Sequence, residues 1–214
     1  MRLALRSGSI AQAKPIIENF GTTNIAMRWG RRAGVARSIG ADFNHAAAFM
    51  RLLLIAVGRL KPGPARDLFE EYRGRLRPPL ELIEVEERRP LSGPELMRRE
   101  GELLLEALRR RQAKSGRPPV LVALDERGEA LDTQDFARRY SAWRDRAAEE
   151  IAFMIGGADG LAPEVRAAAD LSLSLGPMTW PHLLVRGLLA EQLYRAQQIL
   201  LGHPYHRGHP YHRA

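Results

Sequence analysis

Three short apolar segments of the chain are each followed by a residue that could face a bound ligand. The segments span residues 120–124, 151–155 and 171–175, and the residues that follow them are Asp125, Gly156 and Gly176. Glycine lacks a Cβ atom and tolerates positive φ, so a ligand can approach its backbone closely. Ligands of open α/β sheets bind beyond the carboxyl ends of the strands. A single glycine more often marks a tight turn, whereas three such ends that converge would form a site.

The residues around these ends favour a ligand without phosphate groups. Residues 156–160 read Gly-Gly-Ala-Asp-Gly, which is not the G-x-G-x-x-G pattern of dinucleotide sites, and the chain has no Walker A lysine loop. The apolar side chains beside the ends are Leu124, Leu175, Met178 and Trp180. Exposed backbone and apolar walls suit a nucleoside-like ligand, of which S-adenosylmethionine is one example. Composition by itself does not choose among such ligands.

Alternating strands and helices must position these ends. Apolar runs and alternating patterns predict about five strands, at residues 51–57, 80–85, 120–124, 151–155 and 171–175. Helical spacing predicts helices between them and a long final helix over residues 181–201. This alternation predicts an α/β fold with a mostly parallel sheet flanked by helices on both faces. Residues 125–128 are predicted to form a turn, and Asp125 and Asp159 are expected to accept hydrogen bonds from turn backbone.

Composition limits the classes of protein to which the chain could belong. It has 214 residues, 45% of them hydrophobic, which is sufficient for a packed domain. It has no cysteine, which excludes disulfides and thiolate metal sites. The formal net charge is +8, but residues 1–49 contribute seven basic and two acidic residues. Overall charge is therefore weak evidence for nucleic-acid binding. No apolar run reaches the roughly 18 residues of a membrane span, so we expect a cytoplasmic protein.

Both ends of the chain differ from the middle. Residues 1–49 are rich in Arg, and we expect a disordered extension or a misassigned start, since Met50 directly precedes the first strand. At the other end, His-Pro-Tyr-His-Arg at 203–207 is repeated at 209–213. Arginine beside aromatic residues suits phosphate contact and base stacking. A histidine metal site is disfavoured, because the two prolines of the repeat interrupt regular structure and no carboxylate joins the histidines.

Five motifs occur in the order typical of one enzyme family. They are Val-Leu-Val-Ala-Leu-Asp at 120–125, Ile-Gly-Gly-Ala-Asp-Gly-Leu at 155–161, Met-Thr-Trp-Pro-His at 178–182, Glu-Gln-Leu-Tyr-Arg-Ala at 191–196 and the first His-Pro-Tyr-His-Arg at 203–207. With them, residues 50–207 resemble the H-type ribosomal large-subunit pseudouridine N-3 methyltransferases of the SPOUT class. The extension 1–49 and the duplicated tail 208–214 lie outside the resemblance.

This resemblance implies a fold, a cofactor and a substrate. The fold would be an α/β trefoil knot in an obligate homodimer. Nothing in the periodicity of the sequence predicts the knot, and knots are rare among known folds. The cofactor would be S-adenosylmethionine, and the substrate a pseudouridine of 23S rRNA on the assembled ribosome. Carried over motif by motif, the implied cofactor contacts fall on Leu124, Gly156, Leu175, Gly176, Pro177, Met178, Thr179 and Trp180.

Methyl transfer to this substrate sets what the catalytic residues must do. Displacement at a sulfonium methyl needs alignment more than acid catalysis. The attacking ring nitrogen carries a proton at neutral pH, so a base or groups that stabilise the developing anion would help. The candidates are His182, Arg186, Tyr205, His206 and Arg207, and none can be singled out as the base.

Each of these interpretations has an alternative. His182 could be a capping or packing residue at the start of the final helix. Arg186 could form a surface ion pair instead of contacting RNA phosphate or the tail, and Glu191 with Arg195 is expected to form a helix-stabilising pair. The Arg-rich runs at 98–99, 109–111 and 138–139 could be solvated helix faces or phosphate contacts. The whole chain could be a catalytically silent RNA-binding factor, or a methyltransferase with another RNA target.

Overall fold

The computed structural model describes residues 50–115, 117–146 and 148–203, and within them strands and helices alternate strictly. The strands are β1 (Arg51–Val57), β2 (Leu80–Val85), β3 (Val120–Ala130), β4 (Glu150–Ile155) and β5 (Leu171–Ser174). The helices are α1 (Pro64–Arg75), α2 (Gly93–Ser115), α3 (Thr133–Asp145), α4 (Pro163–Ala168) and α5 (His182–Leu200). No helix in these ranges is both long and apolar enough to cross a membrane.

The five strands form one sheet in the order β2-β1-β4-β3-β5. Every neighbouring pair is parallel. The predicted α/β fold with a parallel sheet is therefore confirmed. The order itself could not be read from the sequence, because β4 inserts between β1 and β3 although two other strands separate it from β1 along the chain. The trefoil knot that the resemblance implies stays a prediction.

Helices cover both faces of the sheet, which explains why its central strands are continuous apolar runs. On β1, Leu52 and Leu54 face a core built with α1, α3 and α5. Leu53 and Ile55 face the opposite core, which is built with α2 and α4. Successive side chains of a strand point to opposite faces, so a strand that is covered on both sides must be apolar at every position.

The final helix α5 belongs to the first of these cores. Its residues Leu189, Leu193 and Ala196 are fully buried, so this apolar stripe of the helix packs inside the subunit. On the same helix, Arg195 Nε donates to Glu191 Oε1 at 2.9 Å. The predicted helix-stabilising pair is confirmed.

The prediction that β3 ends at residue 124 is wrong, because the strand continues to Ala130. Leu124 and Glu129 are both registered against Leu173 of β5, so the residues predicted as a turn form an irregularity within the strand. The close approach of β3 to β5 depends on Gly128, since a Cβ atom there would lie 2.7 Å from backbone atoms of Ser172. The predicted extension 1–49 and the tail residues from 204 onward lie outside the described residues.

Candidate active site

The carboxyl ends of β4 and β5 lie on either side of the middle of β3, and together they form a cleft. Leu124 of β3 is registered against Ile155 of β4 on one side and Leu173 of β5 on the other. The three segments predicted to converge therefore do so, although the middle one lies within β3 and not at its end. Residues predicted to contact a cofactor that line this cleft are Leu124, Gly156, Leu175, Gly176, Met178, Thr179 and Trp180. Pro177 lies between two of them in the chain but is not itself among the lining residues.

The wall that follows β4 is built from glycine backbone. Gly160 N–H donates to the carbonyl oxygen of Gly157 at 3.2 Å and closes a tight turn, in which Gly160 has a φ of +84°. A Cβ atom on Gly156 would lie 2.3 Å from the carbonyl oxygen of Gly160. The turn can therefore fold back on the strand end only because residue 156 has no side chain.

The wall that follows β5 presents apolar side chains on a shaped loop. Gly176 has a φ of +110°, and its N–H donates to Ser174 Oγ at 3.2 Å, which fixes where the loop leaves the strand. Beyond it, Met178 is 67% exposed and Trp180 is 38% exposed. Large apolar side chains at the rim of a concave site are typical of binding surfaces.

Two arginines that the sequence did not single out, Arg127 and Arg166, border the cleft beside Asp125. Asp125 Oδ1 accepts from Arg127 N–H at 2.9 Å, which confirms its predicted bond to local backbone. The other oxygen of Asp125 forms an ion pair with Arg166 of α4 at 3.1 Å. Both Arg127 and Arg166 line the cleft, but they lie in segments without a sequence motif. Asp125 is thus held by neighbours and is poorly placed to act as a base.

His182 is the first residue of α5 and lines the cleft. It lies beside the end of β1, since a Cβ atom on Gly58 would be 3.7 Å from His182 Nε2. Partial burial lowers the pKa of His182, and the nearby charge of Arg186 lowers it further. The imidazole is therefore neutral at physiological pH, and a neutral imidazole can accept a proton.

Arg186 lies one turn further along α5, and its surroundings correct the expectation of a surface ion pair. Its side chain is fully buried, and Nη1 donates to Glu84 Oε1 at 2.6 Å. Nη2 donates to the carbonyl oxygens of Val57 and Gly58 at 2.7 and 2.8 Å. The pair exists, but it is inside the protein because this face of α5 packs against the ends of β1 and β2. Arg186 is not among the residues that line the cleft.

The remaining site predictions concern the Arg-rich runs, the tail residues and a metal site. Arg99 pairs with Glu87 at 2.8 Å and Arg111 with Glu150 at 3.0 Å, so these arginines of the basic runs already have carboxylate partners. Tyr205, His206 and Arg207 lie outside the described residues. Within the described ranges, no group of three His, Asp or Glu side chains could hold a metal ion.

Comparison with known proteins identifies the family to which the chain belongs. The family model described as "Predicted SPOUT methyltransferase" matches residues 50–206, and the chain belongs to this SPOUT family. The relative named ribosomal RNA large subunit methyltransferase H from Rhodospirillum centenum is 64% identical over 160 residues, which cover 74% of this chain and 99% of the relative. The protein of the same name from Paramagnetospirillum magneticum is 58% identical over 158 residues, with the same coverage of both chains.

The buried position of Arg186 predicts the effect of removing its side chain. In Arg186→Ala, the Glu84 carboxylate and two strand-end carbonyl groups lose a shared donor. We expect a loss of about 3–5 kcal/mol in the free energy of unfolding, measured by urea denaturation. The matched control is Arg138→Ala, because Arg138 is 69% exposed and its pair with Asp135 lies at the surface. The control should lose less than about 1 kcal/mol. Equal stability of the two variants would contradict this role for Arg186.

Proposed function

We propose that the chain is an S-adenosylmethionine-dependent methyltransferase that methylates N-3 of a pseudouridine in 23S rRNA of the large ribosomal subunit. The observation that carries the proposal is the cleft between the ends of β4 and β5 and the middle of β3, with its glycine backbone and apolar rim, in a chain of the SPOUT methyltransferase family. The names of the relatives favour ribosomal RNA as the substrate. The proposed enzyme is a cytoplasmic homodimer that acts on the assembled ribosome.

The residues of the cleft are suited to this cofactor. Backbone groups at Leu124, Gly156 and the loop 175–180 would bond the adenosine and methionine portions, and Met178 with Trp180 would cover apolar parts. The bound cofactor supplies an electrophilic methyl group on a sulfonium. A ligand without phosphates needs neither a glycine-rich phosphate loop nor a metal, which agrees with the absence of a Walker motif from the sequence.

The protein's own residues would align the nucleophile and take up its proton. N-3 of the base would accept the methyl group that the bound cofactor would supply. The proton of N-3 must leave, and His182 is a neutral imidazole at the cleft. Arg186 would act through His182, because it ties the first turn of α5 to the end of β1. Tyr205, His206 and Arg207 are proposed to contact the RNA.

Mass spectrometry of large-subunit rRNA tests the proposed substrate. RNA from cells without this gene should lack one methyl group on one pseudouridine, and incubation of the purified protein with their ribosomes and S-adenosylmethionine should restore it. Persistence of the methylated pseudouridine in the deletion strain would overturn the substrate assignment. A protein that binds ribosomes but has no measurable affinity for S-adenosylmethionine would favour the silent RNA-binding factor.

Gly156→Ala tests the proposed cofactor site. The added methyl group collides with the Gly160 carbonyl group, so the turn beside the cleft must move. We expect the affinity for S-adenosylmethionine, measured by isothermal titration calorimetry, to fall by at least about tenfold, or about 1.4 kcal/mol. Gly74→Ala is the control, since a Cβ atom there meets nothing within 4 Å. The control should bind like the wild type, and equal binding by Gly156→Ala would place the cofactor elsewhere.

His182→Ala tests proton removal. We expect kcat to fall by about 10²-fold or more, with cofactor affinity almost unchanged, because a general base acts on the chemical step. The sign of the pH dependence follows from the lowered pKa of His182. The wild-type rate should stay high at neutral pH and fall only as the pH drops below about 6.5, where the imidazole becomes protonated. The variant should lose this fall, and an unchanged pH profile would exclude His182 as the base.

A further inference from the structure

A buried carboxyl group lies directly behind the glycine wall of the cleft. Glu100 is on α2 and is only 8% exposed, although the helix around it is rich in exposed charged residues. It is not among the residues that line the cleft, and the proposed chemistry does not use it. Charged residues are rarely this buried unless they are paired or have a specific role.

The contact between Glu100 and the wall is close. A Cβ atom on Gly157 would lie 2.6 Å from Glu100 Oε2 and 2.8 Å from Oε1. The carboxyl group thus occupies the space where a side chain of residue 157 would be. The next helix residue, Gly101, makes a similar approach, since a Cβ atom there would lie 2.6 Å from the Cβ of Ala162. Helix α2 therefore packs against the segment 157–162, which leads from the turn into α4.

The surroundings favour the uncharged form of this carboxyl group. Glu100 Oε2 is buried and has no hydrogen-bond partner among the described residues. A buried carboxylate without a partner is costly, so such a group tends to keep its proton. Burial raises the pKa of Glu100, and the negative charge of Asp159 in the same turn raises it further. A protonated carboxyl group keeps the volume of the side chain and removes its repulsion with the carboxylate of Asp159.

We propose that Glu100 is a positioning residue for the cofactor, and that its buried carboxyl group supports the turn from Gly157 to Gly160 from behind. The support holds the backbone of Gly156 where it faces the cleft. This inference rests on the proposed function, since it assigns the cleft to S-adenosylmethionine. It differs from a catalytic role, because Glu100 touches neither the cleft nor a reacting atom.

Removal of this support should weaken cofactor binding and leave the chemical step intact. In Glu100→Ala a space opens behind Gly157, and the turn can relax into it. The Michaelis constant for S-adenosylmethionine should then rise, while kcat at saturating cofactor stays within about twofold of the wild type. Glu100→Gln has the same shape as the protonated side chain and no charge. It should therefore restore the wild-type behaviour.

The experiment compares the dissociation constants of S-adenosylmethionine by isothermal titration calorimetry and the kinetics on ribosomes for the full chain and its variants. We expect Glu100→Ala to bind about tenfold more weakly, or about 1.4 kcal/mol. Glu100→Gln should bind within twofold or so of the wild type. Glu106→Ala is the control, because Glu106 is on the same helix and its pair with Arg110 is at the surface.

Each outcome decides one part of the inference. If the wild type itself does not bind the cofactor, the proposed function fails. If the wild type binds and Glu100→Ala binds equally well, only the role of Glu100 fails. If Glu100→Gln binds as weakly as Glu100→Ala, a side chain of this shape does not support the turn and the proposal is overturned. If Glu100→Ala does not fold, Glu100→Asp, which withdraws the carboxyl group from Gly157, must bind more weakly than the wild type. Equal binding would overturn the proposal.

Discussion

Parallel pairing on both sides of β3 is the constraint on which the site depends. Leu124 is registered with Ile155 of β4 and with Leu173 of β5, so the segments that follow β4 and β5 leave the sheet beside the middle of β3. The glycines that follow β4 and β5 are thereby brought to either side of Leu124. In a sheet where another strand separated β3 from either neighbour, these segments would be about 4.8 Å further apart for each inserted strand, and no shared cleft would form.

A buried guanidinium connects this edge to the final helix. Arg186 is fully buried, yet it donates to Glu84 and to the carbonyl groups of Val57 and Gly58. A buried charge is tolerated when it is paired and hydrogen-bonded, and here Nη1 and Nη2 bond to residues at the ends of two strands, while Nε has no hydrogen-bond partner among the described residues. The result is that α5 begins at a fixed place, with His182 at the cleft and beside Gly58. Arg186, which could have been a surface residue on sequence grounds, thus fixes the position of the candidate base His182.

The cleft owes its shape to missing side chains as much as to those present. Gly156 allows the turn to fold back against the strand end, and Gly157 leaves the space that the Glu100 carboxyl group fills. Gly128 allows β3 to run on against β5. Backbone therefore forms much of the wall, with Met178 and Trp180 as an apolar rim. Such a wall is shaped by what packs behind it, so we expect residues outside the cleft to affect binding within it.

The sequence by itself determined the elements and most of the cleft. Five strands, the helices between them and the lining segments at Leu124, Gly156 and 175–180 were predictable, because apolar runs, helical spacing and strand-end glycines are local patterns. Arg127 and Arg166, which also line the cleft, were not. The tertiary structure alone decided the strand order, the continuation of β3 to Ala130, the burial of Arg186 and the contact of Glu100 with Gly157. These depend on which distant segments pack together, and a charged residue on a helix looks the same in sequence whether it faces water or a strand end.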